Sequence, residues 1–541
     1  MMYNNMNKLS VYILSIVVLL SVCTSSCQKK LADLYYDPDQ TVQPSIEQMF
    51  TEMLSNDRVR PSYWDIRTFV VMHTGIYTQS VGYLNNSIEY QQNAGYTQDR
   101  WDDFYRPGNI DGHGGIMAHY RLIEQLYSSI KDDKTKATEE VFLMAAKVVM
   151  LDQASQIVDM WGDIPFSEAG SVNTTGDIVS AKFDNAADVY NSILDGLKTA
   201  STYFTNLQLP TTTQVTFTKQ DILLSGQIEK WQRYANSIRL RLLMRISFVD
   251  EQRAKNEVLN MLGNPSVYPL ADGATAYTPA TTDILLQPLT THTDDLHLAL
   301  TEIINYSAPD YLLNTVMKPS GDPRIPVLFD KYGRTVGDQF IPNTDYNALP
   351  VNETLEDQQI NLGRYAIVDS ATFLFNSKIP GIVISAPEVN FLKAEAYERW
   401  GGGDAKAAYE LAVRQSIAFY YYLNGLNTTT RTPLTPPAAA AIDTFLQNGQ
   451  MQYTGTTSEK LAKIWIQKWV HFGFLQSIQS WSEYRRTKYP ALQFYPSTLP
   501  GYELPPTRLV YPASETAYNT NYASVKAKDL RTAKIFWDIK P

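Results

Sequence analysis

Apolar positions recur at helical spacing through several long segments of this chain. Between Glu139 and Trp161, the residues Val141, Ala145, Val148, Leu151, Ile157 and Trp161 fall near one face and predict a long helix. Asp184-Asn185 offers a cap for a second helix running to about Phe204. A third covers Glu229 to Phe248. Asp250 caps a fourth, which stops at Gly263-Asn264-Pro265. Pro387 opens a fifth, with Glu388 in its first turn, and it reaches Trp400. Gly401-Gly402-Gly403 breaks that helix, and Asp404 caps the next, Ala405 to Leu423. Ser458 to Trp481 reads as one final long helix.

Helix, short break, helix is a recurring unit. Small residues at Ala394, Ala396, Ala407, Ala408 and Ala412 allow close approach of partners. Paired helices of this kind are the physical basis of tetratricopeptide-like stacking. The predicted fold class is mostly α: a tetratricopeptide-like scaffold of helical pairs with long irregular insertions and a few short strands. The insertions, 62–100, 205–222, 264–294, 318–386, 424–457 and 486–530, are rich in Thr, Pro, Asn, Gly and Tyr. Loops of that length on a helical scaffold are usually functional surfaces or small hairpins. No linker divides residues 45–541, which read as a single domain.

The N-terminus differs from the rest. Residues 1–26 hold Lys8, no acid, and an apolar run from Val11 to Val22, the length of a signal-peptide core rather than of a membrane span. Cys23 and Cys27 are the two cysteines of the chain. Small residues precede Cys27, which resembles a relaxed bacterial lipobox. The expectation is a lipoprotein signal peptide at 1–26, lipidation of Cys27, and a tether over 27–44. An ordinary signal peptide with an incidental Cys27 is the alternative.

Composition narrows the function. Hydrophobic residues at 44% and charged ones at 19% exclude a disordered chain. A net charge of -10 and the lack of a Lys/Arg run argue against nucleic acid as a partner. No phosphate-binding glycine loop and no nucleophile elbow occurs. Asp111-Gly112-His113-Gly114-Gly115 reads as a turn before a helix near Ile116. His292-Thr293-Asp294-Asp295-Leu296-His297 lacks metal-ligand spacing and reads as a helix start. Asn343-Thr344-Asp345-Tyr346-Asn347 is a turn that could hold a Ca²⁺ through oxygens. The chain thus carries no positive sign of an enzyme, a cofactor or a metal.

Aromatics stand at 12%, with 35 Tyr and 9 Trp. Within 63–105, rings and side-chain amides interleave. Sugars stack their C–H faces on aromatic rings while amides bond their hydroxyls. The ligand-binding candidates are Trp64, Tyr77, Gln79, Tyr83, Asn85, Asn86 and Tyr96. The alternative for such rings is core packing, and at Trp101 and Tyr105, four residues apart on a helix, packing is the better reading.

Five stretches, in order, resemble one family. Asp159-Met160-Trp161-Gly162-Asp163-Ile164-Pro165-Phe166-Ser167-Glu168-Ala169 is similar to the signature of SusD/RagB outer-membrane lipoproteins of Bacteroidetes, in their SusD-like 2 branch. Trp231 to Arg241, Gly321 to Pro326, Glu388 to Ala396 and Arg508 to Glu515 resemble further stretches of it. The resemblance implies a tetratricopeptide-like fold and a lipid-anchored protein at the outer membrane, facing the exterior. It implies binding of an oligosaccharide without cleavage, and delivery to a SusC-like TonB-dependent barrel. A peptide-binding or structural lid of that transporter is the alternative, and a hydrolase the weakest reading. Gln28-Lys29-Lys30 after Cys27 departs from the acidic residues often found there, which bears on leaflet orientation. The signature residues read as scaffold. Gly162 permits a tight helix exit. One of Arg239, Arg241 and Arg245 is expected to pair with a carboxylate such as Glu388 or Glu395, and Asp322-Pro323-Arg324 to form a turn or ion pair.

Overall fold

The computed structural model describes residues 45–56, 65–82, 90–106, 115–170, 180–288, 298–299 and 307–540. Cys27, Trp64, Tyr83, Asn85, Asn86, Asp111–Gly114 and His292–His297 lie outside them. The chain divides into two units, Met1–Ser45 and Ile46–Pro541, and all the helices below belong to the second.

The first long helix starts six residues before its expected position. Asp132 caps it, its carboxylate accepting the Thr135 N–H at 2.8 Å, and the helix spans Asp133–Trp161. From Val141 onward it is buried on nearly all sides rather than on one face, so it is a central core helix. It ends at Gly162, whose φ of 84° only glycine adopts readily, as the expected tight exit requires.

The other caps act locally and as expected. Asn185 accepts the Ala187 N–H for Ala186–Phe204, Asp250 the Arg253 N–H for Glu251–Gly263, and Asp404 the Ala407 N–H for Ala405–Gly425. Ile228–Arg245 and Ala386–Trp400 complete the central set. Neighbouring helices pack as pairs: 133–161 on 186–204, 186–204 on 228–245, and 386–400 on 405–425. Ala394, Ala396, Ala408 and Ala412 are buried, whereas Ala407 faces outward. The last long helix is a correction. It is two helices, Thr457–Phe472 and Ser477–Thr487, split at Gly473 with φ 50°, where a Cβ would meet the Tyr420 hydroxyl at 2.7 Å.

Among the described residues the strands form four two-stranded antiparallel sheets: β1 (Ile164–Pro165) with β2 (Phe183–Asp184), β3 (Ile284–Leu286) with β8 (Gly381–Ile384), β4 (Phe329–Asp330) with β7 (Ile367–Val368), and β5 (Gly333–Val336) with β6 (Gln339–Pro342). The apolar core has two clusters. One is built mainly from the first 271 residues and the C-terminal segment, the other from Leu285 to Phe474.

Buried ion pairs join the helices. Arg241 binds Glu388 bidentately, at 2.6 and 2.8 Å. Arg239 pairs with Glu257, and Arg245 lies 3.6 Å from Asp159. Glu395 takes a different partner from the one expected, Arg486 at 2.7 Å, with Lys468 nearby. Arg324 binds Asp322 at 2.5 Å and donates to Ser416 and Gln467.

Candidate functional site

Of the expected ligand residues, Tyr77 is a correction. The chain from Asp65 continues as helical turns through Tyr77, and the ring points inward. It is fully buried against Trp481, with ring centroids 5.4 Å apart, and against His73 at 6.1 Å. It offers no face to a sugar. Gln79 has a left-handed backbone (φ 48°) and donates to the Gln493 carbonyl at 2.5 Å. It lines a small cavity of about 40 Å³ with Gly82, Tyr90 and Leu349. Tyr96 is half-buried on Ala94–Tyr105, its ring edge-on to His73 and its hydroxyl 3.4 Å from Arg67.

The neighbouring rings are framework. Trp101 is buried and donates to Glu515, and Tyr105 donates to the Pro165 carbonyl at 2.7 Å. The Gln92 amide bonds Val510 in both directions, as a strand would.

A second aromatic group lies in the insertions 318–386 and 424–457. A cleft of about 660 Å³ opens between the β5–β6 hairpin, Asp369–Ala371 and the segment after Ala405–Gly425. Its exposed rings are Phe340 (57%), Phe375 (41%) and Tyr332 (40%). The hairpin turns at Gly337, and β6 is exposed along its whole length, so Phe340 has no core to enter. Gly333 allows the close packing here, because a Cβ would lie 2.7 Å from the Phe340 ring. Tyr332 holds a left-handed backbone (φ 59°), a strained state for a tyrosine, and meets Phe340 edge-to-face at 6.2 Å.

Polar groups share the cleft. Asp330 accepts the Ser370 N–H at 2.9 Å and the Ser370 hydroxyl, and the Arg431 guanidinium at 2.7 Å. Arg431 also lies 3.8 Å from Asp369. Burial pushes the Asp369 carboxyl up to about 7, with the Asp330 charge adding to it. Burial pushes Asp330 upward as well, but the Ser370 and Arg431 bonds outweigh it and hold Asp330 below the usual carboxylate range. Asn343 donates to the Lys331 and Gly363 carbonyls and fixes the hairpin base. In the acidic turn, Lys318 donates to Asp345 and to the Tyr346 carbonyl, each at 2.8 Å, so an ammonium occupies the place proposed for Ca²⁺.

Asp330 and Asp369 share the Arg431 guanidinium, at 2.7 and 3.8 Å. Ser385, His471 and Ser416 form a hydrogen-bonded chain at 2.7 and 3.1 Å, but all three are sealed in the core. Burial, with the Arg324 charge, pushes the His471 imidazole down to about 3. Among the described residues no group of three His, Cys, Asp or Glu could hold a metal ion.

The SusD-like_2 family, described as "Starch-binding associating with outer membrane", matches residues 38–512. The chain belongs to this family. Solved SusD-like structures share its fold. A chitin-binding protein is 23% identical, with a TM-score of 0.69, over 91% of this chain and 99% of its own. A SusD homologue from Bacteroides fragilis is 19% identical, with a TM-score of 0.67, over 92% and 100%. A chitin-binding SusD homologue from Flavobacterium johnsoniae is 20% identical, with a TM-score of 0.58, over 92% and 99%. No curated protein matches the chain.

In this SusD-like protein the signature residues 159–169 are scaffold. Asp163 accepts the Ala186 N–H at 2.9 Å and Lys528 at 2.6 Å, and Asp184 accepts the Phe166 and Ser167 N–H groups. They tie the end of one core helix to the start of the next. The cleft uses none of them. Its signal in the sequence was only the length and Tyr/Asn content of two insertions.

Proposed function

We propose that this SusD-like protein is a cell-surface glycan-binding lipoprotein. It captures oligosaccharide in the cleft of Tyr332, Phe340 and Phe375, does not cleave it, and delivers it to a SusC-like TonB-dependent barrel. Cys27 carries the lipid. The observation that carries this reading is the cleft itself: three exposed rings around hydrogen-bonding groups. Stacking buries the apolar C–H faces of a sugar, and Arg431, Asp330 and Asn343 bond its hydroxyls. Each exchange of a water bond for a protein bond yields only about 1 kcal/mol, so affinity comes from several sugars together.

Calorimetry against soluble polysaccharides tests it. Phe340→Ala and Tyr332→Ala are expected to weaken binding at least about tenfold, the loss of about 1.4 kcal/mol, with the melting temperature nearly unchanged. Loss with Tyr96→Ala and not with Phe340→Ala places the site instead on the 63–100 stretch, with Gln79, Tyr83, Asn85, Asn86 and Trp64. Heat with peptides and with no glycan favours the peptide-binding lid. Shortened oligosaccharide after incubation defeats the non-catalytic reading.

A further inference from the structure

Segment 264–282 forms one wall of a second cavity, of about 590 Å³, within the usual range of about 300–1,000 Å³ for small-ligand sites. Helices Ile228–Arg245, Glu251–Gly263 and Ala386–Trp400 line the rest with it, and it shares no lining residue with the aromatic cleft. The wall has little regular structure of its own, yet it is held in shape. Gln232 donates to the Val267 carbonyl at 3.2 Å, Asn236 to that of Pro269 at 3.1 Å, and Ser237 accepts the Ala271 N–H at 3.0 Å. Asn390 and Gln415 both donate to the Asp272 carbonyl, at 2.7 and 2.9 Å. A wall fixed in this way loses little entropy when a ligand arrives.

The charge is unusual for this molecule. The chain carries -10, but the cavity gathers Lys230, Arg233 and Lys393 against only Glu229 and Asp272. Both carboxylates are engaged, Glu229 with Arg233 at 2.5 Å and Asp272 with Lys393 at 2.8 Å. The Lys230 ammonium makes no hydrogen bond or ion pair among the described residues. The nearby Asp221 carboxylate is already taken by the N–H groups of Leu223, Leu224 and Gly226 and by the Trp231 indole. Burial draws Lys230 below its ordinary value, with Asp221 opposing. The Thr275 hydroxyl and the phenols of Tyr268 and Tyr397 also line the cavity, and they too make no hydrogen bond among the described residues.

We propose that this cavity is a second binding site, for a sugar acid. The carboxylate of a hexuronate unit lies against Lys230, and its hydroxyls meet Thr275, Tyr268 and Tyr397. The anion preference stands on the charges alone; only the sugar part rests on the glycan reading of the protein.

Calorimetry of the purified protein with digalacturonate, a neutral disaccharide and acetate tests it. Digalacturonate is expected to bind, and to weaken as salt rises. Lys230→Ala is expected to weaken it about tenfold or more, the usual cost of losing a charged hydrogen bond, while Lys230→Arg retains binding. A uronate that binds no better than the neutral disaccharide overturns the proposal. So does indifference to Lys230→Ala in a variant of unchanged melting temperature, and so does equal competition by acetate. If no glycan binds the aromatic cleft while the uronate result holds, the cleft reading fails and this one stands.

Discussion

Arg241 and Arg486 each meet a carboxylate that lies far off in sequence and has almost no water around it. Glu395 is held at about 2, because the charges of Arg486 and Lys468 outweigh the cost of its burial. Removing one member of such a group leaves an uncompensated buried charge. Glu395→Gln is expected to cost about 3–5 kcal/mol in denaturant unfolding, because the buried Arg486 and Lys468 then share the single carboxylate of Glu483. Histidines act on pH instead. An unfolded imidazole titrates near 6.5, but burial holds His471 at about 3. The folded state therefore binds fewer protons, so the His471 contribution is complete above about 6.5 and is lost as pH falls toward 3. By pH 5 the loss is about 2 kcal/mol. Buried Asp283 and Asp369, raised to about 8 and about 7, act in the opposite sense and favour the folded state as pH falls. A comparison of variants isolates the histidine: the stability gap between the wild type and His471→Gln is expected to narrow from pH 7.5 to pH 5 in paired urea melts.

Helix ends were legible because caps are local. Asn185, Asp250 and Asp404 each bond an N–H two or three residues on, so the sequence carries the whole interaction. Gly162 belongs to the same class. Its φ of 84° and ψ of -119° suit glycine alone, and a Cβ there would sit 3.3 Å from the Arg508 guanidinium. Gly162→Ala is expected to cost about 1–3 kcal/mol, read as a lowered denaturation midpoint at an unchanged slope. The break at Gly473 was not legible. Apolar spacing runs on from Ser458 to Trp481, and the glycine is needed because Tyr420, on another helix, fills the space where its Cβ would be. Nor could spacing show that the helix from Asp133 is buried on all sides, which depends on the helices packed around it.

Across the whole molecule, the C-terminal segment stands out. Residues 513–541 lie beyond the family match, yet Val525, Ile535 and Trp537 join the first apolar cluster. Trp537 is fully buried, donates to Asp159 at 2.9 Å, and lies beside the guanidinium groups of Arg485 and Arg245. Trp537→Ala is expected to cost about 3–5 kcal/mol and to leave Asp159 without that donor. A thermal melt checks it, and a change under 1 kcal/mol would show the segment to be a mere covering.

The order of helices, their caps and the family were fixed by the chain itself, since spacing, capping and signature residues act over a few positions. Which tyrosines and phenylalanines face water was decided only by the assembled fold. Tyr77 and Phe340 both sit in polar, ring-rich stretches, but Trp481, more than four hundred residues away, covers the first, whereas the second stays more than half exposed. A ring buries itself wherever apolar surface is available, and that surface comes from distant parts of the chain.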